Sequence, residues 1–244
     1  MINYNKYDDM IRCPVCKHEV NHFDGKYHFV NDKCKSIFPV IKGIPVLINE
    51  QNSAFSIKDF TLQKETTMET KNSIIRMGNY LVPSLNLNVT AKENLNNFKR
   101  EVLELSKNPK ILVLGCRQEG HGMQSLSNDD NIILFNTDVS LGNNTGFVVD
   151  AHDIPFSENT FDGVIIQTVL EHVADPSRCV DEIHRFLKNN GIVYAETSFN
   201  QQVHMGAYDF SRFTHVGHRR LFRMFSEIDS GVGSGPGMAL AWAY

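Results

Sequence analysis

Residues 148–173 read VVDAHDIPFSENTFDGVIIQTVLEHV, and this stretch decides the fold. It opens as a short apolar run that ends on acids, Asp150 and Asp153. A turn follows, built on Pro155 and the polar Ser157-Glu158-Asn159, then a continuous apolar strand over 161–166. Gln167 and the Leu170-Glu171-His172 corner close the segment before a new helix. An apolar run bounded by turn signals and followed by a helix predicts a buried parallel strand. Polar groups that appear as such a strand ends stand where open α/β sheets bind ligands.

On both sides of this stretch strands and helices alternate, which argues for an α/β fold with a mostly parallel, Rossmann-like sheet. Residues 111–114 read as a buried strand that runs into Gly115-Cys116-Arg117-Gln118-Glu119-Gly120-His121-Gly122, with a helix expected from Met123. Glycines there let the backbone approach a ligand, and a helix N-terminus offers free amides. A second strand over 132–135 leads to Asn136-Thr137-Asp138, and an acid ending the second strand of a nucleotide fold takes ribose hydroxyls. The third strand spans 146–149. Asp175-Pro176 starts a helix with an apolar face of Cys179, Val180, Ile183, Phe186 and Leu187, stopped at Asn190-Gly191. The fifth strand covers 192–195 and ends at Glu196-Thr197. Upstream, Thr90-Ala91-Lys92-Glu93 is a capping-box pattern ahead of Leu95, Phe98, Val102 and Leu105 at helical spacing.

The chain has 244 residues, 41% hydrophobic and 21% charged, as for an ordinary globular protein with one main domain and a small one. A net charge of −4 gives no general attraction to nucleic acid or anionic membrane. No apolar run reaches the length of about 18 residues that a spanning helix needs. The N-terminal MINYNKYDDMIR has acids and no apolar core, unlike a signal peptide, so a cytoplasmic protein is expected. The five cysteines do not form a disulfide framework.

Three of those cysteines lie in a small module over residues 8–49. Cys13-Pro14-Val15-Cys16 is a knuckle that points two thiolates at one tetrahedral metal. Cys34 adds a third sulfur, while Asn31 stands where its Cys-x-x-Cys partner would be. His18, His22 and His28 are near for a fourth ligand, His28 first by position. The other reading is a ribbon that has lost its metal and stands on its strands alone. FPVIKGIPVLI over 38–48 gives two short strands around a glycine turn. A polar linker over 50–89 follows, with a short helix near 57–62, and a domain over 90–244.

Two resemblances rest on these residues. CPVC with the FPVIKGIPVL tail resembles the small zinc-ribbon proteins that bind and activate tRNA and protein methyltransferases. That resemblance implies one structural zinc on Cys13, Cys16, Cys34 and His28. Residues 109–200, above all DAHDIPFSENTFDGVIIQTVLEHVADP, resemble the class I S-adenosylmethionine-dependent methyltransferases, type 11 group. This likeness implies S-adenosylmethionine as cofactor, with Asp138 on the ribose and Val139 beside it. It puts Asp153 on the adenine amine with Ile154 next to the ring, and Gln167 at the methionine end. In the glycine loop Gly115 matches the family pattern. Val113 stands at the family's acid position, Arg117 replaces the second glycine, and Gly120 and Gly122 are shifted along. Arg117 and Gln118 are therefore expected to help hold the methionine portion together with Gly120.

Downstream of the fifth strand, residues 199–215 are dense in His, Tyr, Asp and Arg. His204, Tyr208 and Asp209 are the candidates there to take a proton from an acceptor oxygen or nitrogen. They equally suit a lid loop held by hydrogen bonds. A helix over 219–225 and a sixth strand near 225–232 are expected next. The apolar Met238-Ala239-Leu240-Ala241-Trp242-Ala243-Tyr244 suggests truncation or an interface, with a second copy or another partner. The reading is a methyltransferase acting on an O or N acceptor of a small molecule or glycan precursor. Its rival is a catalytically inactive methyltransferase-fold protein that binds or regulates. Nucleic acid is disfavoured, since no basic, aromatic-interleaved stripe is present.

Overall fold

The computed structural model describes residues 4–29, 34, 36–62, 88, 90–117, 119–203, 206–233 and 235. Most of the linker, Gln118, His204 and the tail over 236–244 lie outside these residues. The strands are β1 (Val20–Phe23), β2 (Lys26–Phe29), β3 (Ile37–Ile41), β4 (Ile44–Leu47), β5 (Lys110–Leu114), β6 (Ile133–Asp138), β7 (Phe147–Val149), β8 (Phe161–Gln167) and β9 (Leu187–Glu196). The helices are α1 (Ile57–Thr61), α2 (Ala91–Leu105), α3 (Gln124–Ser127), α4 (Pro176–Phe186) and α5 (His215–Leu221).

All nine strands form one sheet in the order β1-β2-β3-β4-β7-β6-β5-β8-β9. The five strands β7-β6-β5-β8-β9 are parallel, as their unbroken apolar runs predict. The cysteine module is continuous with them. Its strand β4 pairs in parallel with β7, Val46 opposite Val148 and Leu47 opposite Val149. An edge that the module leaves uncovered would expose unpaired backbone groups, and β4 satisfies them.

Side chains alternate along each strand, so the sheet buries two faces. Leu112, Leu114, Val164 and Ile166 pack with Cys179, Val180 and Ile183 of α4. Ile111, Val113 and Ile165 pack with Leu95, Phe98 and Val102 of α2. On the α4 side Phe135, Phe156 and Phe186 meet Phe161 edge-on, with ring centroids 5.2, 5.2 and 5.5 Å apart. That is the favourable geometry for aromatic pairs.

Several boundaries differ from expectation. The first-loop helix is only α3, four residues long. Helix α4 starts as expected, with Asp175 accepting from the Arg178 amide at 3.1 Å and Pro176 at its first position. It ends earlier than expected, at Phe186, and the chain passes directly into β9. Asn190, at φ +65°, and Gly191 lie inside that strand, where the pairing with β8 shifts register. Thr90 caps α2 with no side-chain bond; Asn88 Oδ1 accepts the Ala91 amide instead, at 3.1 Å. Helix α5 begins earlier than expected, at His215, and no sixth strand forms over 225–232.

Candidate functional site

The C-terminal ends of the parallel strands open on one cavity of about 2360 Å³. It exceeds what a single small ligand fills because it runs on along the outer side of β9 toward residues 213–235. Gly115, Arg117, Gly120, Asp138, Val139 and Gln167 all line it, so the strand-end residues read from the sequence meet in one place. Gly115 takes φ +79°, and an added Cβ there would overlap the Val169 side chain. Asp138 ends β6. Its Oδ2 accepts the Arg117 amide and its Oδ1 the Ser140 amide, both at 2.9 Å. Burial raises the pKa of Asp138 above the usual aspartate value, against those two hydrogen bonds. A ligand hydroxyl donating to this carboxylate would favour its charged form.

Among the described residues two buried oxygens at this rim have no partner: Asn136 Oδ1 and Gln167 Oε1. Both residues line the cavity, and a buried acceptor without a donor is what a ligand site leaves open. The sequence reading passed over Asn136. Its signal was present, as the first polar side chain after the apolar Ile133-Leu134-Phe135. The glycine cradle, the strand-end acid Asp138 and the open Asn136 Oδ1 together fit a nucleoside cofactor.

The two acids of the opening stretch are placed differently. Asp150, Ala151 and His152 line the cavity, while Asp153 and Ile154 do not. Asp153 is 6% exposed and turned toward the cysteine module and α4. Its Oδ1 accepts from Arg178 Nη2 at 2.6 Å, with Lys17 Nζ at 3.8 Å. Its Oδ2 accepts from Asn49 and Asn52 Nδ2 at 3.0 and 3.2 Å. The chain turns over 151–153 after β7 ends at Val149, which leaves Asp150 and Ala151 on the cavity and Asp153 and Ile154 behind it. Asp150 accepts from Ser53 Oγ at 2.5 Å and from His152 Nδ1 at 2.6 Å. His152 Nε2 accepts the Asp175 amide, so Nδ1 carries the proton. Burial pushes the Asp150 pKa up, and the His152 and Ser53 hydrogen bonds more than reverse it, for a net lowering.

The loop beyond β9 is held mostly by its own chain. Asp209 forms a two-pronged pair with Arg212, one contact at 2.8 Å, and its side chain is 2% exposed. Both carboxylate oxygens of Asp209 are thus engaged by Arg212. Tyr208 lines the cavity, stacks on Phe55 at 5.4 Å between centroids, and accepts His172 Nδ1 on its carbonyl at 2.8 Å. Phe55 and Asn52, from the segment after the module, line the same cavity. Nothing in their local sequence marked them.

At the N-terminal module, Cys13, Cys16 and Cys34 bring their sulfurs within 4.8 Å of one another. Cys13 and Cys34 Sγ are 3.7 Å apart, close to the edge of about 3.8 Å of a tetrahedron with zinc–sulfur bonds of about 2.3 Å. Burial raises the Cys13 thiol to about 12, and a cation would reverse that. His28 is not part of this group. It follows the buried Tyr27 on β2, so it faces the opposite side, its ring 6.4 Å from that of Phe23. Among the described residues no fourth ligand joins the three sulfurs. The knuckle is tied to the opening stretch and to α4: the Arg12 amide donates to Pro155 O at 2.9 Å, and Lys17 Nζ meets Glu182 at 3.0 Å.

Comparison with known proteins adds a similarity to a family. Residues 132–195, about a quarter of the chain, match the model of the Methyltransferase domain family, type 11. No curated protein matches the sequence. Among solved structures, a chain of the complex between the Haloferax volcanii Trm112 methyltransferase activator and a methyltransferase is 21% identical, with TM-score 0.41, covering 59% of this chain and 76% of that one. The [4+2]-cyclase SpnF is 21% identical at TM-score 0.42, covering 53% and 55%. Haemonchus contortus phosphoethanolamine N-methyltransferase 2 is 15% identical at TM-score 0.39, covering 53% and 36%. The chain thus spans about half of SpnF and about a third of the Haemonchus enzyme. Over residues 132–195 this chain is similar to the type 11 methyltransferase domain model, and the segment lies in a Rossmann-like parallel sheet.

Proposed function

We propose that the protein is an S-adenosylmethionine-dependent methyltransferase acting on an O or N acceptor of a small molecule or glycan precursor. The observation that carries this reading is the convergence of the Gly115–Gly120 loop, Asp138 and Asp150 on one cavity at the strand ends. The cofactor supplies a methyl group on a sulfonium. Asp138 is the group for the ribose hydroxyls, Asp150 and the Ala151 backbone for the adenine edge, and Gly115, Arg117 and Gly120 for the methionine portion. Asp153 and Ile154 back this wall from behind. The chain's contribution to rate is to hold acceptor and methyl in line, for which proximity alone serves. Tyr208, and His204 beyond the described residues, remain the candidates to receive the acceptor's proton. Cys13, Cys16 and Cys34 suit one structural zinc. A cytoplasmic location is part of this reading, on the five free cysteines.

A catalytically inactive binding protein is the second reading. It is favoured by Asp138 having both oxygens engaged by its own chain. Incubating the protein with methyl-tritiated S-adenosylmethionine and fractionated cell extract separates the two. Label in the small-molecule fraction supports the enzyme; label confined to nucleic acid overturns the acceptor class; none in any fraction favours the inactive protein.

A further inference from the structure

At the end of β9, three strands from Asp138 in the sheet, Glu196 lines the cavity. Its carboxylate accepts from Tyr194 Oη, from Gln167 Nε2 at 2.8 Å, and from Asn88 Nδ2 at 3.1 and 3.2 Å. Every one of these donors is neutral. Asp153, Asp162, Glu182 and Asp209 each meet a Lys or Arg, but among the described residues no cation pairs with Glu196. Beside it Gln167 Oε1 is buried without a donor. The amide cannot be reversed, because Oε1 would then face the Glu196 carboxylate. Burial, and next Glu196 itself, raises the Tyr194 pKa, which keeps that hydroxyl a donor. So an uncompensated carboxylate and an orphaned carbonyl oxygen stand together, and both call for N–H donors with positive charge. An ammonium offers three such donors.

We infer that Glu196 and Gln167 form a binding site for a protonated amine, and that this amine is the methyl acceptor. The inference rests on the methyltransferase reading. The ammonium first gives a proton to solvent by way of Glu196. The nitrogen lone pair then forms the N–C bond as the C–S bond breaks, and its electron pair stays on the sulfur as a thioether. The methylated nitrogen carries the positive charge that the sulfonium had.

The test uses full-length protein saturated with S-adenosylhomocysteine. It is titrated calorimetrically with ethanolamine, 1,4-diaminobutane and glycinamide, each against its hydroxyl counterpart. At least one amine should bind about tenfold tighter than its alcohol. Glu196→Gln should abolish that preference and leave affinity for S-adenosylhomocysteine unchanged. Tyr194→Phe, which keeps the charge, should retain the preference, so a folding defect in the first variant cannot pass for an answer. If Glu196→Gln instead weakens S-adenosylhomocysteine and not its analogue lacking the α-amino group, the cation is the cofactor's own ammonium and the acceptor assignment is overturned. No amine preference in the wild type, or one indifferent to Glu196, overturns the site and leaves Glu196 as a tie for Asn88. Glu196-dependent amine binding in a protein that takes no S-adenosylhomocysteine would keep the site and sink the methyltransferase reading.

Discussion

Asp138 and Asp153 look alike in sequence, as acids just past a short apolar run, and differ in what they hold. Asp138 meets two backbone amides and the cavity; Asp153 meets Arg178, Lys17, Asn49 and Asn52. Asp138→Ala should weaken S-adenosylhomocysteine binding by about 1–3 kcal/mol, since it removes a buried acceptor at the ligand. Asp153→Ala should leave that affinity nearly unchanged and lower unfolding free energy by about 1.5–3 kcal/mol, since it strips partners from two cations and two amides. Calorimetry and denaturant unfolding of the two variants distinguish them. The reverse pattern would return the adenine role to Asp153. The motif was legible in the sequence, but its geometry was not. Which acid of DAHD faces the ligand depends on how the chain leaves β7 and on the partners that residues 49–53 bring from a hundred positions away.

The central elements follow from local patterning: β5, β6, β8, α2 and α4 stand where apolar runs and the Asp175-Pro176 start put them. What the sequence hid is the join of β4 to β7, because a parallel pairing between distant segments leaves no local mark. That join backs the pocket wall with the cysteine module: Lys17 and Asn49 reach Asp153 behind it, and Asn52 lines the cavity. Removing metal with a chelator should therefore lower Tm by at least about 4 °C and weaken S-adenosylhomocysteine binding together. Metal analysis should give near one zinc per chain; Tm and affinity both unmoved by chelation would leave the ribbon standing on its strands. The glycine loop is likewise fixed by an element beyond itself. Gly122, at φ +86°, would place a Cβ 2.9 Å from the Ala91 carbonyl oxygen at the start of α2. Gly122→Ala should cost about 1–3 kcal/mol of stability by denaturant unfolding.

For the molecule as a whole, the acids that bind module, sheet and α4 together set the acid limit of stability. Burial opposes the charge of Glu182, but Arg185 and Lys17 outweigh it and hold its pKa below the ordinary 4.5. Asp150 is likewise below its ordinary 3.8. A carboxyl with a depressed folded-state pKa contributes stability that is present above its unfolded value and lost as pH falls through the folded one. Tm should hold steady above about pH 5 and drop below about 4.5, and Glu182→Gln should shrink that drop. Asp138 has the opposite sign, since its raised pKa favours folding at low pH and costs stability at neutral pH until a ligand donates to it.

That cost is a mark of a site built for a ligand, and the central claim is that the ligand is the methyl-donor cofactor. Titrating the full-length protein with S-adenosylhomocysteine tests it most directly. A saturable single-site isotherm is expected, weakened about five- to 150-fold by Asp138→Ala. A folded protein that gives no binding heat up to millimolar ligand would contradict it.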